Sequence, residues 1–196
     1  MTAPDAGELE LLAGSTELAA AAARVAHEIS THHPGGVTLV AVLKGSVVFL
    51  ADLIRQVTVP VRVDMVALSP FDGTSRRTWV VKDVDRPIAG EDVVLVTGIT
   101  DTGLTADFLI RHLAARQPAS LELATLADKP VRRIVPVQPR YVGLEAPDRF
   151  LIGYGLDYLG RYRNLDRLWA VDGSSLAADP DRFVPRLYGE RAQPGT

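Results

Sequence analysis

Val93-Val94-Leu95-Val96-Thr97-Gly98-Ile99-Thr100-Asp101-Thr102-Gly103-Leu104-Thr105 is the stretch on which the reading of this chain turns. Four consecutive apolar residues fit a strand buried on both faces. The small and hydroxylated residues after them predict a turn, and a helical pattern follows over 105–116. Strand, turn and helix in that order leave backbone N–H groups unpaired at the helix N-terminus, which suits a phosphate. Asp101 lies inside that turn, where a carboxylate beside a phosphate is costly unless it has a chemical task.

Outward from this stretch the pattern is α/β. Leu18, Ala22, Val25, Ala26 and Ile29 recur at helical spacing over 16–30, and Gly35-Gly36 ends that segment. Val37–Leu43 reads as a buried strand, Lys44-Gly45-Ser46 as a turn, and Val47–Gln56 as a helix. Further strands are expected at Val61–Leu68, Trp79–Lys82, Leu121–Ala127, Tyr141–Leu144 and Leu168–Val171, with a polar loop over 69–78. Strands alternating with helices imply a mostly parallel sheet covered on both faces. Pro180, Pro185 and Pro194 predict an irregular tail over 176–196, leaving 1–175 as one domain.

Composition narrows the function classes. The chain has 196 residues, of which 47% are hydrophobic, enough for one sizeable core. A net charge of −3 gives no global attraction to nucleic acid, although Arg76-Arg77 and Arg132-Arg133 could meet anions locally. The absence of cysteine excludes disulfides and thiol chemistry and fits a reducing cytosol. Asp5, Glu8, Glu10 and Glu17 with no basic residue argue against a secretory signal, and no apolar run is long enough to span a bilayer. A cytoplasmic location is expected. His32-His33 beside Pro34-Gly35-Gly36 reads as a solvated loop.

Several motifs in order then carry a resemblance. They are Val42-Leu43-Lys44-Gly45-Ser46, Asp101-Thr102-Gly103-Leu104-Thr105, Asp128-Lys129-Pro130, Val142 to Phe150, Gly153-Tyr154-Gly155-Leu156-Asp157-Tyr158, and Arg161-Tyr162-Arg163-Asn164-Leu165. Over roughly 10–175 the chain resembles the type I phosphoribosyltransferases that act on 6-oxopurines (hypoxanthine and guanine). The resemblance implies a parallel-sheet core with a small hood built from the two chain ends. It also implies 5-phosphoribosyl pyrophosphate (PRPP) and a purine base as partners, Mg²⁺ as cofactor, and a homodimer or homotetramer.

Residue by residue, the resemblance makes Leu43, Lys44 and Gly45 the pyrophosphate loop, with a cis peptide, and Arg163 a second pyrophosphate contact. Thr97, Thr100, Asp101, Thr102, Gly103, Leu104 and Thr105 match the PRPP segment, with Asp101 exchanging a proton with purine N7. Lys129 matches the donor to the purine O6, Phe150 the ring that stacks on the base, and Leu151 its neighbour. Asp157 matches a carboxylate near the base and Mg²⁺. Taken alone, Phe150 reads as core, Arg163 as a surface ion-pair partner, and Asp157 as a turn residue.

The chain also departs from the family pattern. Thr97-Gly98 stands where two carboxylates normally grip the ribose hydroxyls. Losing two charge-assisted hydrogen bonds at about 1.5–3 kcal/mol each weakens PRPP binding or turnover on the order of 10²–10⁴-fold. In the mobile loop, Ser69 is followed by Pro70-Phe71 where the family carries a Ser-Tyr pair, and Arg76 and Arg77 lie further along. Two readings compete: a working 6-oxopurine phosphoribosyltransferase, or a diverged relative that binds purine nucleotides as a regulator or partner or acts on a modified purine.

Overall fold

A computed structural model describes residues 8–69 and 79–189. In chain order the elements are β1 (Leu9–Ala13), α1 (Ser15–His32), β2 (Val37–Val42), α2 (Val47–Ile54), β3 (Val61–Leu68), β4 (Val80–Lys82), β5 (Asp92–Thr100) and α3 (Leu104–Ala114). They continue with β6 (Ser120–Asp128), a 3₁₀ turn at Pro130–Arg132, β7 (Tyr141–Glu145), β8 (Phe150–Ile152), β9 (Leu168–Val171), α4 (Gly173–Ala178) and α5 (Val184–Tyr188).

Six strands form the central sheet in the order β4-β3-β2-β5-β6-β7. β2, β3, β5, β6 and β7 are parallel, and β4 is an antiparallel edge. β5 sits in the middle, and side-chain alternation sends its residues to two cores. Val94 and Val96 pack with Leu18, Val25 and Ile29 of α1 and Phe49 and Leu53 of α2. Val93 and Leu95 pack with Leu109 and Leu113 of α3. The chain order reverses between β2 and β5, so the loops leaving their C-terminal ends part from one another. A crevice opens there, the usual ligand site of such sheets.

β5 runs further than its composition implies. The expected strand, 93–97, extends through Gly98-Ile99-Thr100, expected to be turn, with Thr97 paired to Thr125, Ile99 to Ala127 and Thr100 to Asp128. Parallel pairing with a nine-residue neighbour outweighs the weak strand preference of Gly and the turn preference of the polar residues.

The hood is the antiparallel sheet β1-β9-β8, which brings the start of the described chain against its C-terminal part. The tail expected to be irregular from 176 carries α4 and α5, and Leu176 and Phe183 are fully buried with Leu9, Ile152, Tyr162 and Val171. Asp172 caps α4 by accepting from the Ser174 and Ser175 amides. Pro185 lies in the first turn of α5, where its missing N–H removes no helical bond. The His32-His33 pair also differs from expectation. His33 is buried, and its Nε2 lies 3.1 Å from the Glu122 carboxylate.

Candidate active site

The loop after β2 forms one lip of the crevice. The Leu43–Lys44 peptide is cis. The Ser46 hydroxyl donates to the Val42 carbonyl at 2.7 Å and the Leu43 amide to the Val66 carbonyl at 2.9 Å, which tie the loop to the sheet. Lys44 is exposed at the rim.

The turn after β5 forms the other lip. Gly103 adopts a left-handed backbone at φ +84° just before α3, and a Cβ there would also lie 3.0 Å from Arg133 and Val135 side-chain atoms. Thr102, Gly103, Leu104 and Thr105 therefore present the first amides of α3, which have no partner within the helix. The Leu104 side chain is exposed, so its part in an anion site is limited to its amide. Thr97 and Thr100 do not join this turn. Their hydroxyls lie 3.2 Å apart within the strand layer, where the Thr97 hydroxyl also reaches the Ala124 carbonyl at 3.3 Å.

Asp101 closes the turn toward the hood, with three cations around it. Arg132 Nε lies 2.7 Å from Asp101 Oδ1, Lys129 Nζ lies 3.9 Å from Oδ2, and Arg133 donates to the Asp101 main-chain carbonyl at 2.8 Å. The Arg132 contact lacks hydrogen-bond alignment. Asp101 Oδ1 is thus a buried acceptor with charge beside it and no hydrogen-bond donor among the described residues. Such an atom is costly unless a ligand's N–H supplies the missing bond.

Lys129 is only 4% exposed and donates to the Arg149 carbonyl at 2.5 Å. Burial pushes its ammonium below the usual lysine range, with the Asp101 carboxylate opposing the shift. Phe150 stands 39% exposed at the hood edge, its ring meeting Tyr158 edge-on at 5.6 Å. Leu151 beside it is buried. Asp157 and Arg163 pair at 2.6 Å, while Asp157 Oδ2 accepts the Gly160 amide at 2.7 Å and Arg163 donates to the Gly155 carbonyl at 2.7 Å.

Two adjoining cavities collect these groups. One, of about 250 Å³, lies between the two lips and is lined by Leu43, Gly45, Thr97 to Gly103 and Thr105. The other, of about 410 Å³, is lined by Leu43, Lys44, Gly45, Asp101, Lys129, Phe150, Leu151, Asp157 and Arg163. Of the mobile-loop residues, Ser69 is described, bonded through its amide to the Trp79 carbonyl at 2.9 Å. Pro70, Phe71, Arg76 and Arg77 lie outside the described residues.

The sequence reading missed Arg132 as a neighbour of Asp101. It took Arg132-Arg133 as an anion-binding pair, but Arg132 joins Asp101 to Asp148, at 2.8 Å from the latter, and Arg133 pairs with Asp128. Three cations (Lys129, Arg132 and Arg133) within five residues, directly after the carboxylate Asp128, were the only local signal.

Sequence and structure comparisons fit this geometry. The profile of the phosphoribosyl transferase domain matches residues 11–159. This chain belongs to the phosphoribosyltransferase family. It is 42% identical to the hypoxanthine-guanine phosphoribosyltransferase of Mycobacterium avium over 137 residues, covering 68% of each chain. It is 39% identical to the hypoxanthine phosphoribosyltransferase of Salmonella typhimurium over 163 residues, covering 80% of this chain and 92% of that one. A crystal structure of a hypoxanthine-guanine phosphoribosyltransferase from Bacillus anthracis superimposes with a TM-score of 0.79 at 37% identity, covering 83% of this chain and 98% of that one. The fold is accordingly the type I phosphoribosyltransferase fold.

Proposed function

We propose that the chain transfers the phosphoribosyl group of PRPP to hypoxanthine or guanine, giving IMP or GMP and pyrophosphate in purine salvage. The observation that carries this is the buried Asp101 Oδ1, an acceptor without a donor, in the same cleft as the buried Lys129 ammonium. A 6-oxopurine suits both groups: its imidazole-edge N–H donates to the Asp101 carboxylate, which is 36% exposed, and its O6 takes the Lys129 N–H. Adenine leaves Lys129 facing an amino group, a mismatch that buried polar sites reject strongly.

In this reading the 5′-phosphate rests on the α3 amides with Thr102 and Thr105. Phe150 covers one face of the base, with Leu151 beneath it. Purine nitrogen N9 bonds to ribose C1′ as the bond from C1′ to the pyrophosphate oxygen breaks. Asp101 holds the proton exchanged at N7, while Lys44 and Arg163 offset charge on the departing pyrophosphate.

Magnesium belongs to this reading as an ion carried by PRPP. Both oxygens of Asp157 are engaged, and among the described residues no group of three or more His, Cys, Asp or Glu side chains is placed to hold a metal. Asp157 is the carboxylate of this cleft that would lie beside such an ion, and no step above runs through it. A cytoplasmic location belongs to this reading through the composition, and a homodimer or homotetramer through the resemblance. Among the described residues no helix is long and apolar enough to cross a membrane.

A second reading, a nucleotide binder without transfer, draws on Thr97 and Gly98. Steady-state assays with PRPP, Mg²⁺ and, separately, hypoxanthine, guanine, xanthine and adenine decide between them. Turnover with hypoxanthine or guanine and none with adenine is expected. No turnover with any 6-oxopurine would leave only the binder.

A further inference from the structure

The wall between the phosphate turn and the base end is built differently from either end. We propose that this site does not read the 2′-hydroxyl of its ligand, so that it takes 6-oxopurine nucleoside 5′-monophosphates of the ribo and 2′-deoxyribo series alike. The inference rests on the placement of phosphate and base given above, because the sugar must then lie against Thr97 to Thr100, Gly45 and Leu156.

No side chain of that wall is free to bind a sugar hydroxyl. Thr97 is 5% exposed and Thr100 2%, and their hydroxyls satisfy each other and the Ala124 carbonyl inside the strand layer. Ile99 and Leu156 are apolar. Gly98 offers no side chain, and the space for one is already filled. A Cβ at 98 would lie 2.6 Å from the Gly45 carbonyl oxygen, 2.9 Å from its carbon and 3.0 Å from Leu156 Cδ2. The loop after β2 has closed on β5, so the wall is a packed neutral surface and not an emptied acidic one.

The nearest carboxylates are committed elsewhere. Asp101 faces Arg132 and Lys129 at the base end, and Asp157 is held by Arg163 and the Gly160 amide. Discrimination between a hydroxyl and a hydrogen is strong when the wrong ligand strands a buried polar partner. Here no side chain becomes stranded with either sugar, so neither is penalised.

The test is calorimetric titration of the full chain with IMP, 2′-deoxy-IMP, GMP and 2′-deoxy-GMP, in Mg²⁺ and again in EDTA, with Thr97→Val beside the wild type. The expected dissociation constants agree within about threefold between each ribo and deoxy pair, and Thr97→Val leaves that ratio unchanged. A ribo preference on the order of tenfold or more, with or without Mg²⁺, overturns the inference, as does a ratio that shifts in Thr97→Val. Failure to bind any of the four overturns it as well. The base-panel assay separates the two claims: equal binding without transfer sinks only the proposed function, and transfer with a strong ribo preference sinks only this inference.

Discussion

The base end and the sugar wall of one cleft are built on opposite principles. At the base end, Asp101, Lys129, Arg132 and Asp148 form a chain of alternating charges, with successive contacts of 3.9, 2.7 and 2.8 Å. Lys129 in that chain is almost wholly buried. Along the sugar wall, a few ångströms away, hydroxyls turn inward and a glycine meets a backbone carbonyl. Burying charge is costly, so a fold keeps it where the charge has work to do with a ligand. In the proposed reading, selectivity at the base end is therefore chemical, whereas the sugar wall acts through shape alone.

Asp101→Asn gives the sharpest break between the two. It removes the proton acceptor while keeping size, and kcat with hypoxanthine is expected to fall on the order of 10²–10⁴-fold with Tm nearly unchanged. A loss below tenfold would remove the base end's claim to the chemistry. Lys129→Ala ranks next: kcat/KM for hypoxanthine drops about 10²-fold, and discrimination against adenine weakens, in the same base-panel assay.

Substitutions in the sugar wall act through packing. Gly98→Asp forces the Gly45 carbonyl and Leu156 aside, costing about 1–3 kcal/mol in thermal or urea unfolding. Thr97→Val deletes a hydroxyl that among the described residues bonds only Thr100 and Ala124, so about 1 kcal/mol of stability is lost while nucleotide affinity holds. The smallest effect is a slope. Because burial lowers the Lys129 pKa from 10.5, the unfolded chain binds more protons in the window below that value. The stability difference between wild type and Lys129→Met therefore moves in favour of wild type as pH rises through that window, measurable as paired Tm values.

The parallel core was legible because strands buried on both faces announce themselves as unbroken apolar runs. Val93–Val96 is such a run inside β5, and Val37–Leu43, broken by Thr38 alone, covers β2, whereas Val61–Leu68 was legible by its alternation. Of the hood, only β9 was legible. β1 and β8 are short strands whose partner is β9, for β1 up to 162 residues away, and nothing local marks them. The tail departs from the irregular structure that its prolines imply, because Pro185 occupies a helix's first turn, where it breaks no helical bond.

At the site, Asp101 stood out by its place in the turn, whereas Lys129 and Arg163 stood out only through the motifs that carry the resemblance. What stayed hidden depends on contact between distant segments. Arg132 reaches Asp101 only because the turn after β6 lies against the turn after β5. The Gly45 carbonyl fills the place of a Gly98 side chain only because β2 and β5 are neighbours. Composition counts Thr97-Gly98 as a loss of two carboxylates; the packing makes it a different wall.

The most direct test is a side-by-side transfer assay of wild type and Gly98→Asp with PRPP, Mg²⁺ and hypoxanthine. The packed neutral wall predicts IMP formation by the wild type and a lower rate in the variant, whose new side chain displaces the loop after β2. An inert wild type beside an active Gly98→Asp would show that the wall had merely lost its acidic groups, and would contradict the account.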